Sequence, residues 1–267
     1  MTHIYKTQMM SHTNGREDNQ DRADFMVGTS GHGETGPNTS VLYVADGVSN
    51  ANGTRAAQII ERDARKPMAK ILINTYDLAK MTLEDRRMEA TRQLKEAILE
   101  LDSSMRPINT CMSTFSLALV MGSFVYTANL GDSPIMLVRL DEDNVPCSMK
   151  EVYTCHNRAG VAVAAGKMTK EEALTSDWKD ELSVDVLGMR PDRSDISTAV
   201  AGLGQNNLLL MGSDGALSVI PEEAMLKIIA DHIDDGLAAV NQALFRAVKA
   251  AGGDDNYTLL IQWIQCS

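Results

Sequence analysis

The chain has 267 residues, and its 25 lysines and arginines stand against 36 aspartates and glutamates, which gives a formal net charge of −11. This acidity excludes a protein that coats nucleic acid and argues against a membrane-surface protein, because both depend on Lys and Arg. A hydrophobic fraction of 44% excludes a largely disordered chain. A chain this long can bury a substantial core without staples, so we expect a single domain over residues 1–267.

The chain carries no sequence signal for export or membrane insertion. Its first ten residues lack both the apolar run of a signal peptide and an Arg-rich transit pattern. No segment approaches the ~20 apolar residues of a membrane helix. The four cysteines have no Cys-x-x-Cys spacing and no histidine partners at zinc spacing, which is typical of thiols in a reducing compartment. We therefore expect a cytoplasmic protein, and a monomer.

The first part of the chain predicts strands and two long helices. In chain order we expect a strand over His3–Ser11, a loop over Gly28–Asn38, a strand over Val41–Ala45, a helix from Thr54 to about Ala79 and a helix over Leu83–Met105. Both helices have apolar residues at steps of three and four. Pro67 predicts a break or a kink in the first of them.

The middle of the chain is rich in β-forming runs separated by turn residues, which favours an antiparallel meander. The predicted strands are Ser113–Met121, Phe124–Asn129, Ile135–Leu140, Glu151–Cys155, Ile196–Val200, Leu208–Met211 and Tyr257–Ile264, and the predicted helices are Thr169–Thr175, Pro221–Ile233 and Gly236–Ala250. Strands in consecutive runs and helices in blocks favour an α+β fold over a parallel βαβ sheet.

Aspartates recur at the edges of these apolar β runs. The five motifs are Asp21 in GREDNQD, Asp46-Gly47 after VLYVA, Asp132 after FVYTANLG, Asp214-Gly215 after LLLMGS and Asp255 before NYTLLIQWI. Each motif alone is more typical of a turn than of a ligand, but strand ends that meet at one sheet edge would bring the carboxylates together. Clustered carboxylates repel one another, and hard divalent cations relieve this repulsion. Oxygen ligands without His or Cys favour Mg²⁺ or Mn²⁺ over Zn²⁺.

The order of these motifs resembles the metal-dependent serine/threonine protein phosphatases of type 2C. That family carries an Arg-x-x-Asn-[Glu/Gln]-Asp segment, an Asp-Gly after a hydrophobic strand, a Gly-Asp-Ser turn, a Ser-Asp-Gly and an Asp-Asn before the last strand. The matching residues here are Arg16 to Asp21, Asp46-Gly47, Gly131-Asp132-Ser133, Ser213-Asp214-Gly215 and Asp255-Asn256. The pair Ser113-Thr114 before a β run also fits. Five motifs in order, from about Asn14 to Ile264, carry the resemblance.

The resemblance implies a set of metal ligands. Asp46 is similar to the carboxylate that bridges two metal ions, and the Gly47 carbonyl would bind one of them. Asp214 and Asp255 are similar to ligands of the other ion. Asp132, together with Asp214, is similar to the ligands of a weaker third ion found in many bacterial members. The implied cofactors are therefore two Mn²⁺ or Mg²⁺ ions, with a third as an additional prospect.

The resemblance also implies the groups that surround the ions. Asp21 would hold metal-bound water in place, with Gln20 and Asn256 as supporting residues around it. Arg16 would bind the substrate phosphate, since its planar fork can make two parallel hydrogen bonds. Residues 160–188 fall where the family has its flap, a variable segment beside the active site.

The implied fold is an αββα four-layer sandwich, in which two central, mostly antiparallel sheets are flanked by helices. The implied reaction is the hydrolysis of phosphoserine and phosphothreonine in proteins by a metal-activated water. The implied partner is a phosphorylated protein, with a serine/threonine kinase acting in opposition. Two alternatives stay open: a non-catalytic phosphoprotein-binding pseudophosphatase and a phosphomonoesterase of small metabolites.

The sequence departs from the family pattern at three places. Gln20 stands where many members have Glu. Val48-Ser49 follows Asp46-Gly47 where the family often has Met-Gly-Gly-His, so the His proposed as general acid in some members is missing. We therefore expect water to protonate the leaving alkoxide. Pro134 replaces the Arg that often follows Gly-Asp-Ser. These changes bear on rate and specificity rather than on metal binding, since every main carboxylate is present.

Overall fold

The strands form two antiparallel sheets in the computed structural model, which describes residues 3–29, 38–106, 111–184 and 186–266. The strands are β1 (His3–His12), β2 (Asp21–Thr29), β3 (Asn38–Asp46), β4 (Phe115–Met121), β5 (Phe124–Leu130), β6 (Ile135–Leu140), β7 (Pro146–Glu151), β8 (Ser197–Gly202), β9 (Asn206–Gly212) and β10 (Tyr257–Cys266). Sheet 1 has the order β1-β10-β9-β6-β7, and sheet 2 has the order β2-β3-β4-β5-β8.

Helices cover the outer face of each sheet. They are α1 (Gly53–Asp63), α2 (Arg65–Lys80), α3 (Leu83–Met105), α4 (Arg158–Ala164), α5 (Lys170–Thr175), α6 (Asp214–Leu217), α7 (Glu222–His232) and α8 (Leu237–Ala250). The amphipathic helices α1 to α3 bury their apolar faces on sheet 2, and α7 and α8 bury theirs on sheet 1. In the described ranges, no helix is both long enough and apolar enough to cross a membrane.

A third apolar layer lies between the two sheets. Leu42 and Val120 of sheet 2 pack there with Leu209 and Leu260 of sheet 1, and all four side chains are fully buried. Strands with both faces covered read as continuous apolar runs rather than as alternating ones, as β4 does with seven buried residues in a row. The layer order helix, sheet, sheet, helix confirms the predicted αββα sandwich.

The structure corrects the prediction around residues 21–29. No strand was expected there, yet β2 pairs with β3 in full register, from Asp21 opposite Asp46 to Thr29 opposite Asn38. Charged residues at Asp21, Arg22 and Asp24 obscured the strand signal, and such charges are common on an edge strand, which β2 is. The loop expected over Gly28–Asn38 begins and ends in these two strands, and residues 30–37 lie outside the described part of the chain.

Two other predicted elements differ in their boundaries. The helix expected from Thr54 to about Ala79 is two helices that meet at Ala64, so the predicted break is present but lies three residues before Pro67. Pro67 lies in the first turn of α2, where its missing N–H is not needed by the helix. The strand expected over Glu151–Cys155 ends at Glu151, which pairs with Met136 next to the first residue of β6.

Candidate metal centre

The predicted carboxylates meet at one edge of the sandwich, where strands of both sheets begin or end. Sheet 2 brings the start of β2, the end of β3 and the end of β5 to this edge, and sheet 1 brings the end of β9 and the start of β10. The aspartates at these ends are Asp21, Asp46, Asp132, Asp214 and Asp255. We call this group the carboxylate edge.

Asp46 is held through its backbone by the residues that precede β4. Its amide donates to Thr114 Oγ1 at 3.0 Å, and its carbonyl accepts from the Thr114 amide at 2.8 Å and from Ser113 Oγ at 2.9 Å. The next residue, Gly47, lies against Gly53 at the start of α1, where a Cβ on either residue would approach the carbonyl oxygen of the other to 2.7 Å. The absence of side chains at these two positions therefore lets the turn after Asp46 close.

Burial and mutual repulsion make the charged forms of these side chains unfavourable. Burial raises the pKa of Asp46 well above its ordinary value, and the charges of Asp21 and Asp214 raise it further. Burial likewise raises the pKa of Asp21 and the pKa of Asp132 to about 7. Burial also raises the pKa of Asp214, and the charge of Asp255 adds to this rise. These carboxylates therefore titrate as a linked set and need positive charge nearby to ionise together.

Few charged or hydrogen-bonding groups of the described residues offset the negative charge of these carboxylates. Arg16 Nη2 lies 2.8 Å from Asp255 Oδ2, and both side chains are more than 40% exposed, so this ion pair is at the rim. Asn157 Nδ2 donates to Asp132 Oδ2 at 2.9 Å. Both carboxylate oxygens of Asp21 are buried and form no hydrogen bond with the described residues, although the hydroxyls of Ser213 and Thr258 lie near enough to lower its pKa in part. A buried, unsatisfied carboxylate is expensive unless something absent from the chain itself completes it.

The carboxylate edge fits hard divalent cations. Its donor atoms are oxygens, its aspartates make it strongly negative, and the two buried Asp21 oxygens form no hydrogen bond with the described residues. No three acidic, His or Cys side chains of the described residues already converge as a closed cage around one point. Oxygen donors of this kind suit Mg²⁺ or Mn²⁺.

Asn256 fastens the loop that carries Arg16 to the carboxylate edge. Its Nδ2 donates to the carbonyls of Thr13 and Asp18 at 3.0 and 2.9 Å, and its Oδ1 accepts from the Gln20 amide at 2.9 Å. Asn256 thus sets the position of the whole loop rather than that of one side chain.

Gln20 braces the other side of the same loop. Its Oε1 accepts from Ser49 Oγ at 2.9 Å, and its Nε2 donates to Thr54 Oγ1 at 3.3 Å. Its backbone carbonyl accepts from the Gly47 amide at 3.2 Å. The side chain of Gln20 therefore links the Arg16 loop to the turn after Asp46 and to α1.

Two residues that support Asp132 were not predicted from the sequence. Asn157 bonds to it directly, and His156 Nδ1 accepts from the amide of Gly131 at 3.2 Å. With Nδ1 as acceptor, the ring proton lies on Nε2 and is donated to Ser197 Oγ at 2.7 Å. Burial lowers the pKa of His156, which keeps the ring neutral. The signal was present, because His156-Asn157 follows a β-rich run much as the aspartates do.

The segment expected to form the flap lies beside the carboxylate edge. It contains α4, α5 and a short 3₁₀ turn at Asp177–Asp180. The charge of Asp180 raises the pKa of both Asp132 and Asp214, so this turn faces the Asp132 end of the edge. Asp180 had not been expected to act on the site from the sequence.

The chain is similar in sequence to known proteins of one family. The family described as "Protein phosphatase 2C" matches residues 16–156, which are 141 of the 267 residues. The serine/threonine phosphatase stp of Listeria innocua is 26% identical over 223 residues, which cover 83% of each chain.

Solved structures share the fold. Serine/threonine phosphatase Stp1 from Staphylococcus aureus superposes with a TM-score of 0.72 and 16% identity, covering 99% of this chain and 96% of that one. The catalytic domain of protein phosphatase PstP, solved with 2 manganese ions, gives a TM-score of 0.71 and 18% identity, covering 99% and 100% of the two chains. The chain therefore belongs to the protein phosphatase 2C family of metal-dependent serine/threonine protein phosphatases.

Proposed function

We propose that the carboxylate edge and Arg16 carry out the hydrolysis of phosphoserine and phosphothreonine in proteins. The single observation that supports this assignment most is the group of buried, mutually repelling carboxylates at one sheet edge, with a guanidinium at its rim. Such a group is unfavourable for folding, and strain of this kind is concentrated at functional sites.

Asp46, the Gly47 carbonyl, Asp214 and Asp255 would hold two divalent cations, and Asp132 with Asp214 would hold a third. When bound, Mn²⁺ or Mg²⁺ supplies charge that lowers the pKa of water and offsets the charge of the phosphoryl group. Asp21 would orient water by accepting hydrogen bonds at its two free oxygens. Gln20 and Asn256 would keep the Arg16 loop against these ligands through the contacts described above.

Arg16 would receive the phosphate of the substrate. Its guanidinium is half exposed and is tethered to the site by one contact, with Asp255. It is therefore free to turn toward an incoming phosphate, where its two parallel N–H groups match phosphoryl oxygens and stabilise charge there. Since the turn after Asp46 carries Val48-Ser49 and no histidine, water would protonate the leaving alkoxide.

The test is hydrolysis of a phosphothreonine peptide by the purified chain, with and without Mn²⁺. We expect turnover that depends on Mn²⁺, and a loss of about 10³-fold in Asp46→Asn and Asp214→Asn, equivalent to about 4 kcal/mol of transition-state stabilisation. The matched control is Asp231→Asn, which removes a carboxylate from an exposed ion pair with Lys227 on α7. An Asp214→Asn variant with wild-type turnover contradicts the proposed site.

The two alternative functions are not favoured by the family assignment. A pseudophosphatase would be expected to have lost metal-ligand carboxylates, and every main one is present. A metabolite phosphomonoesterase would hydrolyse sugar phosphates faster than phosphopeptides, so the two rates measured side by side separate it from the proposed activity.

The cellular setting is part of the proposal. We infer a single catalytic domain over residues 1–267 that acts as a cytoplasmic monomer in signalling, removes phosphate added by a serine/threonine kinase, and has neither nucleic acid nor membrane as a partner. The net charge of −11 supports the exclusion of nucleic acid and anionic membrane as partners. A sedimentation experiment on the purified chain tests the monomer, and cell fractionation tests the location.

A further inference from the structure

One buried carboxylate lies near the carboxylate edge without belonging to it. Asp102 is in the last turn of α3 and has no exposed surface. Its Oδ1 accepts a hydrogen bond from the Gly188 amide at 2.9 Å, and its Oδ2 accepts one from Arg106 Nε at 3.0 Å. A buried charge is tolerated when it is paired and hydrogen-bonded in this way. Asp102 therefore fastens the backbone at residue 188 to the end of α3.

The backbone around Gly188 is tightly enclosed. Gly188 has a φ of +91°, which favours glycine. A Cβ at this position would also overlap the carbonyl oxygen of Cys111. The chain at residue 188 thus lies against the segment that leads into Ser113, and the hydrogen bond that the Gly188 amide donates to Asp102 holds it in that position.

A short path of hydrogen bonds leads from Gly188 to the carboxylate edge. Leu187 and Ser113 exchange two backbone hydrogen bonds, of 3.2 and 3.1 Å. On its other side Ser113 forms an antiparallel bridge with Gly47, and its Oγ donates to the Asp46 carbonyl at 2.9 Å. Ser113 therefore lies between two other backbone segments, one at Gly47 and one at Leu187. Leu187 is held in place because the neighbouring Gly188 amide donates a hydrogen bond to Asp102.

The same path anchors the flap-like segment at its second end. At its start the segment follows Asn157, which bonds to Asp132. It returns at Leu187, which bonds to Ser113. Both ends of the segment are thus attached to backbone or side chains at the carboxylate edge, and the attachment at Leu187 depends on the position of Gly188.

We propose that Asp102 is a positioning residue for the metal centre. By fixing Gly188 it holds Leu187 against Ser113, and Ser113 in turn sets the Asp46 carbonyl and the backbone of Gly47. The inference rests on the proposed roles of Asp46 and Gly47 as metal ligands. Groups that orient metal ligands from outside usually change metal affinity by about 10- to 100-fold when they are removed, and a group one contact further away should have a smaller effect.

Two substitutions at Asp102 distinguish a positioning role from the role of a stabilising ion pair. In Asp102→Asn the amide oxygen can still accept from Gly188, while the charge facing Arg106 is lost. In Asp102→Leu the volume is kept, but the Gly188 amide loses its acceptor. Positioning requires the acceptor, whereas an ion pair requires the charge. The matched control is Leu94→Ala, which creates a cavity at a fully buried residue of the same helix, eight residues before Asp102.

The experiment measures Mn²⁺ affinity by calorimetry on the full chain. We expect Asp102→Asn to bind Mn²⁺ within about twofold of the wild type and Asp102→Leu to bind about 3- to 10-fold more weakly. Leu94→Ala should melt at a lower temperature and bind Mn²⁺ as the wild type does. Wild-type affinity in Asp102→Leu overturns the inference. Failure of the wild-type chain itself to bind Mn²⁺ overturns the proposed metal centre and the inference with it.

A measurement on the wild type keeps the inference testable if Asp102→Leu does not fold. Coupling between two sites is reciprocal, so Mn²⁺ binding at the carboxylate edge should slow hydrogen exchange at the amides of Leu187 and Gly188. We expect at least about threefold slower exchange at these amides with saturating Mn²⁺, measured by mass spectrometry. Unchanged exchange at both amides, with Mn²⁺ bound, overturns the inference.

Discussion

The strand β3 passes through two polar regions that are built in opposite ways. Near its start, Ser40 donates to Gln262 Oε1 at 2.7 Å, and Gln262 Nε2 donates to Thr7 Oγ1 at 3.1 Å. Ser40 and Gln262 are fully buried between the sheets, and each finds a partner in the chain. At its end, Asp46 faces other carboxylates, and neither oxygen of Asp21 has a partner among the described residues.

The difference shows which polar group serves the fold and which serves a ligand. A buried polar network that is fully satisfied rigidifies the core and fixes how the sheets face each other. A buried group left unsatisfied lowers stability unless an absent partner completes it. Ser40 and Gln262 therefore stabilise the sandwich itself, whereas Asp21 and Asp46 need bound cations to offset their charge. The predictions below test this contrast.

Outside the metal ligands themselves, the largest effect is expected at the rim, from Arg16→Ala. Loss of the guanidinium should lower kcat/KM for a phosphopeptide by about 10²-fold, because charge on the phosphoryl oxygens is no longer stabilised. Mn²⁺ affinity should be unchanged or higher, because Asp255 is released from its ion pair with Arg16. Steady-state kinetics and calorimetry measure the two quantities. Weaker Mn²⁺ binding in this variant would show that Arg16 supports the ions rather than the phosphate.

A smaller loss of activity is expected from Asp21→Asn. The substitution keeps the shape of the side chain and removes a charge that raises the pKa of Asp46. Activity should fall about 10-fold, as for other groups that support metal ligands. The melting temperature of the metal-free variant should nevertheless rise above that of the metal-free wild type, because repulsion at the edge is relieved. A lower melting temperature would mean that Asp21 serves the fold, as Ser40 does.

The sequence predicted the carboxylate edge better than it predicted the surrounding loops. The aspartates are adjacent to strong apolar β runs, and antiparallel strands that end together must bring such residues to one edge. The edge strand β2 was missed because Asp21, Arg22 and Asp24 mask its alternation. Residues such as Asn157 act through contacts between segments 25 residues apart in the chain. Local patterns contain no information about such contacts.

The contact between Asp102 and Gly188 could not be predicted from the sequence for a related reason. Asp102 has the sequence context of a solvated helix end, since Ser103, Ser104 and Arg106 follow it. Its burial results from the return of the chain at Gly188, 86 residues later. Propensity and periodicity describe the helix that contains Asp102 but not the segment that covers it. The short helices α4 and α6 were likewise not predicted, because their ends are determined by tertiary contacts.

A change in stability without a change in chemistry is expected from Ser40→Ala. Gln262 Oε1 loses its donor in the buried space between the sheets, which should lower the free energy of unfolding by about 1–3 kcal/mol. Chemical denaturation measures this loss. Mn²⁺-dependent turnover should stay within about twofold of the wild type when assayed well below the melting temperature. A large loss of activity in the folded variant would contradict the separation between the two regions of β3.

The smallest effect is expected in the pH dependence of the stability of the metal-free protein. In the folded chain the pKa of Asp21 and of Asp132 is raised to about 7 from an ordinary value of 3.8. Between these values the folded state binds more protons than the unfolded state, so stability falls as the pH rises through that window. Mn²⁺ competes with these protons and should therefore raise the melting temperature more at about pH 7.5 than at about pH 5.5, by at least about 3 °C.

The matched control for this pH dependence is Asp21→Asn. The wild type and the variant carry almost the same net charge, so general repulsion between surface acids affects both chains alike. If the carboxylate edge is the cause, the fall in metal-free melting temperature between about pH 5.5 and about pH 7.5 should be smaller in the variant, because one of the linked carboxylates no longer has to release a proton. Equal falls in the two chains would assign the pH dependence to the surface charge, and the unsatisfied carboxylates would then not be the feature that distinguishes the end of β3 from its start.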